Sequence, residues 1–278
     1  MPLTAISGSG TVVVGNTSTF IPDRISAICQ NLLNRYSAAG YTPPSSVVDA
    51  VNAFLWGLIV NGIYDRWDFI HLVIGGTAAT HAIDVKNAYN FPFSGTWTHA
   101  STGMKPAFAS NPTPNYADIG YNPATVGSLN DASAMIYTRD DSGATTVLFG
   151  ASDGTNLHQI NASRTALSGN GTLNATAAGA AFGAGITNTQ GAWLANRQAS
   201  NIMQLWFRDR LNATQTVAST ARPNRNLYYG TRNGASGRDF ASTQEISFGA
   251  AGKGLTNEQA RIALILVNAF QTALGRNV

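Results

Sequence analysis

The chain has 278 residues, enough for one large domain with additions and a substantial core, yet only 11% of them are charged, so solubility falls to Asn, Thr, Ser and Gly. The formal charge of +3 comes from single Arg residues scattered among just three Lys, which excludes the basic stripe that neutralises phosphates and makes nucleic acid an unexpected partner. No apolar run reaches the roughly 20 residues of a membrane span, and the opening MPLTAISGSGTVVVG lacks the pattern of a secretion signal, so a soluble protein without a leader is expected.

Residues 1 to 20 hold one β-branched run, Thr11 to Val14, between glycine-rich flanks, which predicts a lone strand. It has two readings: an edge strand of the main fold, or an arm that adds to a neighbouring subunit. Residues 21 to 66 read as a helical pair. Ile25, Ile28, Cys29, Leu32, Leu33 and Tyr36 recur at three and four residues until Gly40 stops the run. After Thr42-Pro43-Pro44, Val47, Val48, Val51, Phe54, Leu55, Leu58 and Ile59 draw a second stripe. Two short-looped amphipathic helices pack antiparallel, and their stripes need a further surface, either the rest of the chain or a sister subunit. Cys29 falls on the apolar face and is expected to be a small core residue.

From residue 67 to 250 the chain reads as β-structure. Trp67 leads into the short apolar run His71 to Ile74, which breaks at Gly75-Gly76. Between Ser133 and Arg139 the side chains alternate, with Ala134 and Ile136 on one face and Met135 and Tyr137 on the other. Thr145, Val147 and Phe149 repeat the pattern after Asp141-Ser142-Gly143, which predicts a hairpin. Further turn signals at Asp153-Gly154, Asn170-Gly171 and Asn233-Gly234 separate short runs, so a sandwich or barrel is expected rather than alternating β and α units. Ala175 to Gly185 is too weakly patterned to place. Residues 251 to 278 form the last element, a helix opened by the capping box Thr256 and Gln259, apolar from Ile262 to Val267 and ended by Gly275. It is expected to pack on the sandwich.

Trp67-Asp68, Gly75-Gly76-Thr77-Ala78 and Thr80-His81, preceded by a helical region and followed by a β-rich domain ending in Phe270 with Ala273-Leu274-Gly275-Arg276, resemble segments of phage and prophage structural proteins. The resemblance implies a virion protein built on a jelly-roll-like (concanavalin A-like, laminin G-like) antiparallel sandwich, in a fibre, tail or capsid-surface position. The lone strand of residues 1 to 20 and the low surface charge predict a homo-oligomer, a trimer if the protein is a fibre, whose other partners are virion proteins.

Patterns that carry chemistry are weak. Gly150-Ala151-Ser152-Asp153-Gly154 matches a nucleophile elbow, but the following segment has no helical stripe to aim the hydroxyl, so a hairpin turn is expected. The stretch from Gly249 to Thr256 has the wrong spacing for a phosphate loop. Glucanases on such sandwiches place two Glu and an Asp on one strand, whereas this chain has only Glu245 and Glu258, on different elements. His71, His81, His99 and His158 lack zinc-ligand spacing, and His81 is read as a structural hydrogen-bonding residue near the double glycine. Asp140, Asp141 and Asp153 could hold calcium only if their loops cluster. No cofactor, metal or catalytic residue is predicted, and the chain is read as non-enzymatic.

Ile202 to Arg210 is the one strand with a chemically promising face. Met203, Leu205 and Phe207 suit a core, while Gln204, Trp206, Arg208 and Arg210 combine an aromatic plate with guanidinium groups and an amide. Such a face can stack on a sugar or anchor a protein neighbour. The competing placement puts Trp206 under the C-terminal helix with the arginines reaching water. A virion structural protein that self-associates and binds host-surface glycan is the leading expectation. A glycan-degrading depolymerase on the same sandwich and a cellular lectin are the alternatives.

Overall fold

The computed structural model describes residues 20–107, 115–141, 146–162, 169–176 and 186–278, with 20–26 and 162 described by backbone alone. The run at 11–14, most of 175–185 and the turn at 142–143 lie outside the described residues. Helices α1 (Phe20–Ala38) and α2 (Ser45–Val60) form the expected pair. Gly40, at φ 81°, ends α1 by letting Tyr41 N–H reach back to the Tyr36 carbonyl (2.9 Å). Both stripes are buried through Cys29, Leu32, Tyr36, Val51, Phe54, Leu55 and Leu58, and burial raises the Cys29 thiol pKa.

The described strands follow in order: β1 (Trp67–His71), β2 (Phe93–Ser94), β3 (Trp97–Ala100), β4 (Gly103–Pro106), β5 (Tyr116–Asp118), β6 (Ala132–Thr138), β7 (Thr146–Ser152) and β8 (Asn156–Ala162). The rest are β9 (Asn170–Thr176), β10 (Gly191–Ala199), β11 (Ile202–Phe207), β12 (Arg210–Thr216), β13 (Tyr228–Tyr229), β14 (Arg232–Gly234), β15 (Gly237–Asp239) and β16 (Ile246–Gly252). A short helix α3 (Pro123–Val126) lies between the sheets' connections, and α4 (Asn257–Ala273) closes the fold. The first sheet runs β12-β11-β10-β6-β16-β4-β3, with β1 also paired to β16. The second runs β15-β14-β7-β13-β5-β2, with β8 and β9 attached through β7. Among the described strands all pairs are antiparallel except β14 with β7. The fold is therefore the expected antiparallel sandwich with an N-terminal helical pair and a C-terminal helix.

Three layers result. One core lies between the sheets, built from residues such as Phe69, Ile136, Phe149, Trp193, Leu205 and Tyr229. A second lies between the first sheet and the helices, where Phe54 stacks on Phe270 (4.8 Å) and meets Phe248 edge-on (5.7 Å). The helical stripes are thus covered by the sandwich of the same chain. Thr256 and Gln259 form the reciprocal capping box, with bonds of 3.2 and 3.1 Å.

The hairpin expected between β6 and β7 does not form. β6 pairs with β10 and β16 in the first sheet, while β7 belongs to the second, so the chain crosses between layers there. The alternation in β6 has a different cause: Ala134 and Ile136 face the inter-sheet core, and Met135 and Tyr137 face the helices. Both faces are apolar because both are covered.

The double glycine and its histidine are structural. A Cβ on Gly75 would meet the Thr80 side chain at 2.7 Å, and one on Gly76 would meet Ser101 N at 3.0 Å. Gly76 N–H donates to His81 Nε2 (3.2 Å), which places the His81 proton on Nδ1, facing His99 Nδ1 at 3.0 Å. His71 Nε2–H donates to the His81 carbonyl (2.6 Å).

Candidate ligand-binding cleft

β11 ends at Phe207, one turn earlier than its alternation suggests. Arg208 takes a left-handed backbone (φ 62°), the chain reverses at Arg208-Asp209, and Arg210 starts β12 directly opposite Phe207. The faces therefore separate. Gln204 and Trp206 point to the helices, whereas the two arginines sit at the end of the hairpin.

This corrects the predicted surface of Gln204, Trp206, Arg208 and Arg210. Trp206 is only 5% exposed and belongs to the helix-side core, with its Nε1–H donating to Gln204 Oε1 (3.3 Å). Gln204 is also buried and ties β11 to the start of α4 by donating to Asn257 Oδ1 (3.0 Å). Neither can stack on a ligand, and the placement under the C-terminal helix is the one adopted.

Arg208 and Arg210 instead line a cleft of about 540 Å³ together with Asp209, Asn188, Asn212 and Asn268, against the ring of Phe207. Arg208 is held from three directions. Its N–H donates to the Ala192 carbonyl (2.7 Å), its carbonyl accepts from Asn268 Nδ2 of α4 (3.0 Å), and its Nε–H donates to the Gln190 carbonyl (3.2 Å). Its aliphatic stem lies over Gly191, where a Cβ would approach Arg208 Cγ to 3.1 Å in a backbone already at φ 114°. The guanidinium also lies over the Phe207 ring (5.1 Å). Such pinning leaves the outer N–H groups of a rigid fork facing the cleft. Arg210 and Asp209 take part in no ion pair among the described residues, and the Asn212 side-chain oxygen is buried there without a protein partner. The cleft thus offers guanidinium donors, one side-chain carboxylate and several amides over an aromatic floor. That is a set suited to a polyhydroxylated ligand.

Other residues weighed from sequence are engaged elsewhere. Glu245 pairs with Arg139 (3.3 Å) and Glu258 with Arg261 (2.8 Å), on separate elements. Asp140 bonds Lys105 (2.5 Å), Asp141 receives Thr189 N–H (2.9 Å), and Asp153 caps its own turn by accepting from Asn156 N–H (2.7 Å). Ser152 and Asp153 lie at the β7–β8 hairpin, the turn expected in place of an elbow. Among the described residues no three His, Cys, Asp or Glu side chains are grouped to hold a metal, and no helix is long and apolar enough to cross a membrane.

No family model and no curated protein matches this chain. Solved structures do. A botulinum neurotoxin type C structure, described for cell entry that depends on interaction with two ganglioside molecules, superposes with a TM-score of 0.50 at 10% identity, over 73% of this chain and 52% of that one. A botulinum neurotoxin serotype D binding domain gives 0.49 at 11% identity over 74% and 53%, and the Ruminococcus gnavus IT-sialidase CBM40 gives 0.42 at 13% over 58% and 96%. The chain spans about half the length of the toxin chains it matches. At such identities the likeness speaks for the sandwich fold alone.

Proposed function

We propose that this chain is a non-enzymatic phage virion structural protein that binds host-surface glycan in the cleft at the β11–β12 turn. One observation carries the binding half: Arg208 is fixed in a left-handed backbone by β10 and α4, so that its guanidinium faces a polar cleft. A non-glycine residue there is strained by about 1 to 2 kcal/mol, a cost that structure alone does not require because Gly would remove it. The sandwich supports the same reading, since botulinum neurotoxin type C, a chain of this fold, meets gangliosides.

The virion half rests on the resemblance carried by Trp67-Asp68, Gly75 to Ala78, Thr80-His81 and Ala273 to Arg276. Self-association, with a trimer as the expected form, belongs to that half. Binding rather than cleavage is favoured because, among the described residues, Asp209 is the one side-chain carboxylate lining the cleft, where glycoside hydrolysis uses two Asp or Glu side chains.

Binding is tested by screening the full chain against immobilised bacterial-surface oligosaccharides and measuring hits by titration calorimetry. Arg208→Ala is expected to weaken a hit by tenfold or more, given about 1.5 to 3 kcal/mol for a hydrogen bond to a charged group. Release of reducing sugar, or hits untouched by Arg208→Ala, would overturn the reading. Light scattering and the position of the protein in purified particles test the virion half.

A further inference from the structure

The outer face of the second sheet carries an arrangement that the cleft does not use. Ala117 and Tyr229 point into the inter-sheet core without exposure, so their neighbours Tyr116, Asp118 and Tyr228 point outward, on the side away from the helices. Tyr116 and Tyr228 stack with centroids 4.4 Å apart and planes 20° apart. From β15, Arg238 lays its guanidinium 4.6 Å above the Tyr116 ring. Tyr228 occupies one face of that ring, so Arg238 covers the other, giving a stack of three planar groups that stands on the sheet.

A cross-strand tyrosine pair alone would be explained by sheet stability. The charges around it are not. Arg232, on the neighbouring strand, is neutralised by Asp239 through two bonds (2.8 and 2.6 Å). Asp118 accepts from Gly120 N–H (2.8 Å) and from Asn226 Nδ2 (3.1 Å), so its carboxylate is engaged locally. The Arg238 side chain has neither a hydrogen bond nor an ion pair among the described residues, and the Arg225 side chain has a single bond, to the Ala235 carbonyl (3.2 Å). Both guanidinium groups act on the same phenol. Burial raises the Tyr228 pKa, as do Asp118 and Tyr116, and Arg238 and Arg225 oppose the rise. Two cations without an ion-pair partner thus flank a pair of half-buried aromatic rings, against the single negative charge of Asp118, and Arg238 is held flat by stacking so that little freedom is lost when its fork is engaged.

We infer that this face is a second saccharide-binding surface, selective for sugars that carry a carboxylate. Arg238 and Arg225 receive the carboxylate, and the ring edges and hydroxyls of Tyr116 and Tyr228 take the C–H and O–H groups of the sugar. The proposal extends the glycan-binding reading, but it shares no residue with the cleft, so either site can fail alone.

The test is calorimetric titration of the full chain with sialyllactose and trigalacturonate, against lactose and maltotriose as neutral partners of similar size. Arg208→Ala silences the cleft, and what remains reports on the second face. In that background at least one acidic sugar is expected to bind, more weakly at high salt, with its neutral partner about tenfold weaker or undetectable. Arg238→Gln and Tyr228→Ala, each added separately, should reduce the remaining affinity by about tenfold. Arg238→Gln removes the charge while keeping the stem as far as Cδ and a polar end, and the far-ultraviolet spectrum and melting curve report any misfolding. Absence of acidic-sugar binding in the Arg208→Ala protein overturns the second surface, as does binding that ignores Arg238→Gln. Acidic-sugar binding that survives Arg208→Ala and falls with Arg238→Gln assigns that sugar to this face, while the cleft stands or falls by its own screen.

Discussion

The guanidinium of Arg276 donates to the carbonyl oxygen of Val73 at 2.7 Å, and this bond joins the end of the chain's last helical segment to the stretch just before Gly75-Gly76. Val73 is a β-branched residue at φ 52°, an outlier that needs outside support. Arg276 supplies it. The side chain is 2% exposed, donates also to Leu72 (3.2 Å) and Ser247 (3.3 Å) carbonyls, and lies over the Phe270 ring. Burial lowers its pKa to about 10, so it stays charged at neutral pH. Arg276→Met leaves these carbonyls without their donor, at about 1 to 3 kcal/mol each, and is expected to destabilise the protein by 3 kcal/mol or more. Arg276→Lys should recover little, because an ammonium cannot reproduce the fork. Urea unfolding midpoints measure both.

Trp206→Ala separates core from site. Truncation of a ring buried between β11 and α4 is expected to cost about 3 to 5 kcal/mol in the same assay. Glycan affinity of the fraction that remains folded should be unchanged, since the ring does not line the cleft. A stable variant that has lost binding would put Trp206 back on the surface.

At Arg208 the two effects part in the opposite direction. Arg208→Gly and Arg208→Ala both remove the guanidinium and are expected to lose binding alike. The glycine variant should nevertheless be about 1 kcal/mol more stable than the alanine variant, because only glycine adopts φ 62° without strain. Equal stability would mean that the turn is not strained.

Three buried histidines predict acid sensitivity. Burial pushes His71 down to about 3 and His158 to about 4, and burial with the neighbouring His71 and His99 pushes His81 to about 2. In the unfolded chain each titrates near 6.5. The folded state keeps them neutral while the unfolded state takes up protons, so their contribution to stability is complete above about pH 6.5 and is lost as pH falls toward the folded values. Each adds a slope of about 1.4 kcal/mol per pH unit in that window. Unfolding midpoints should drop steeply between pH 7 and pH 5, and His158→Gln should flatten the drop by about a third. A level profile would contradict the buried neutral state.

The elements that sequence makes legible are those whose signals are local. Leu32 and Tyr36, or Val51, Phe54 and Leu58, recur with the helical period, and Thr256 with Gln259 marks a helix start three residues long. The β6–β7 connection misleads because its alternation arises from two covered faces, and a run apolar on both sides looks the same as one strand of a hairpin. Arg208-Asp209 offers Asp but no Gly, Asn or Pro, so the reversal that sends Trp206 and Arg208 to different surroundings has only a weak turn signature. Arg208 and Arg210 were nonetheless identifiable as cations beside a core strand. Tyr116 comes from a part of the chain distant from Tyr228 and Arg238, and only the tertiary fold brings the three together.

β16 sits in the middle of the first sheet, bonded to β6 on one side and to β4 and β1 on the other. Until it emerges from the ribosome, Phe69 and Ile70 of β1 have no strand partner, and the Met135 and Tyr137 side of β6 has no finished wall. The first sheet cannot assemble from the front of the chain as it is made. Nascent protein must therefore hold β1 and one edge of β6 unpaired until β16 has been made, and completion of the first sheet is a late, long-range event.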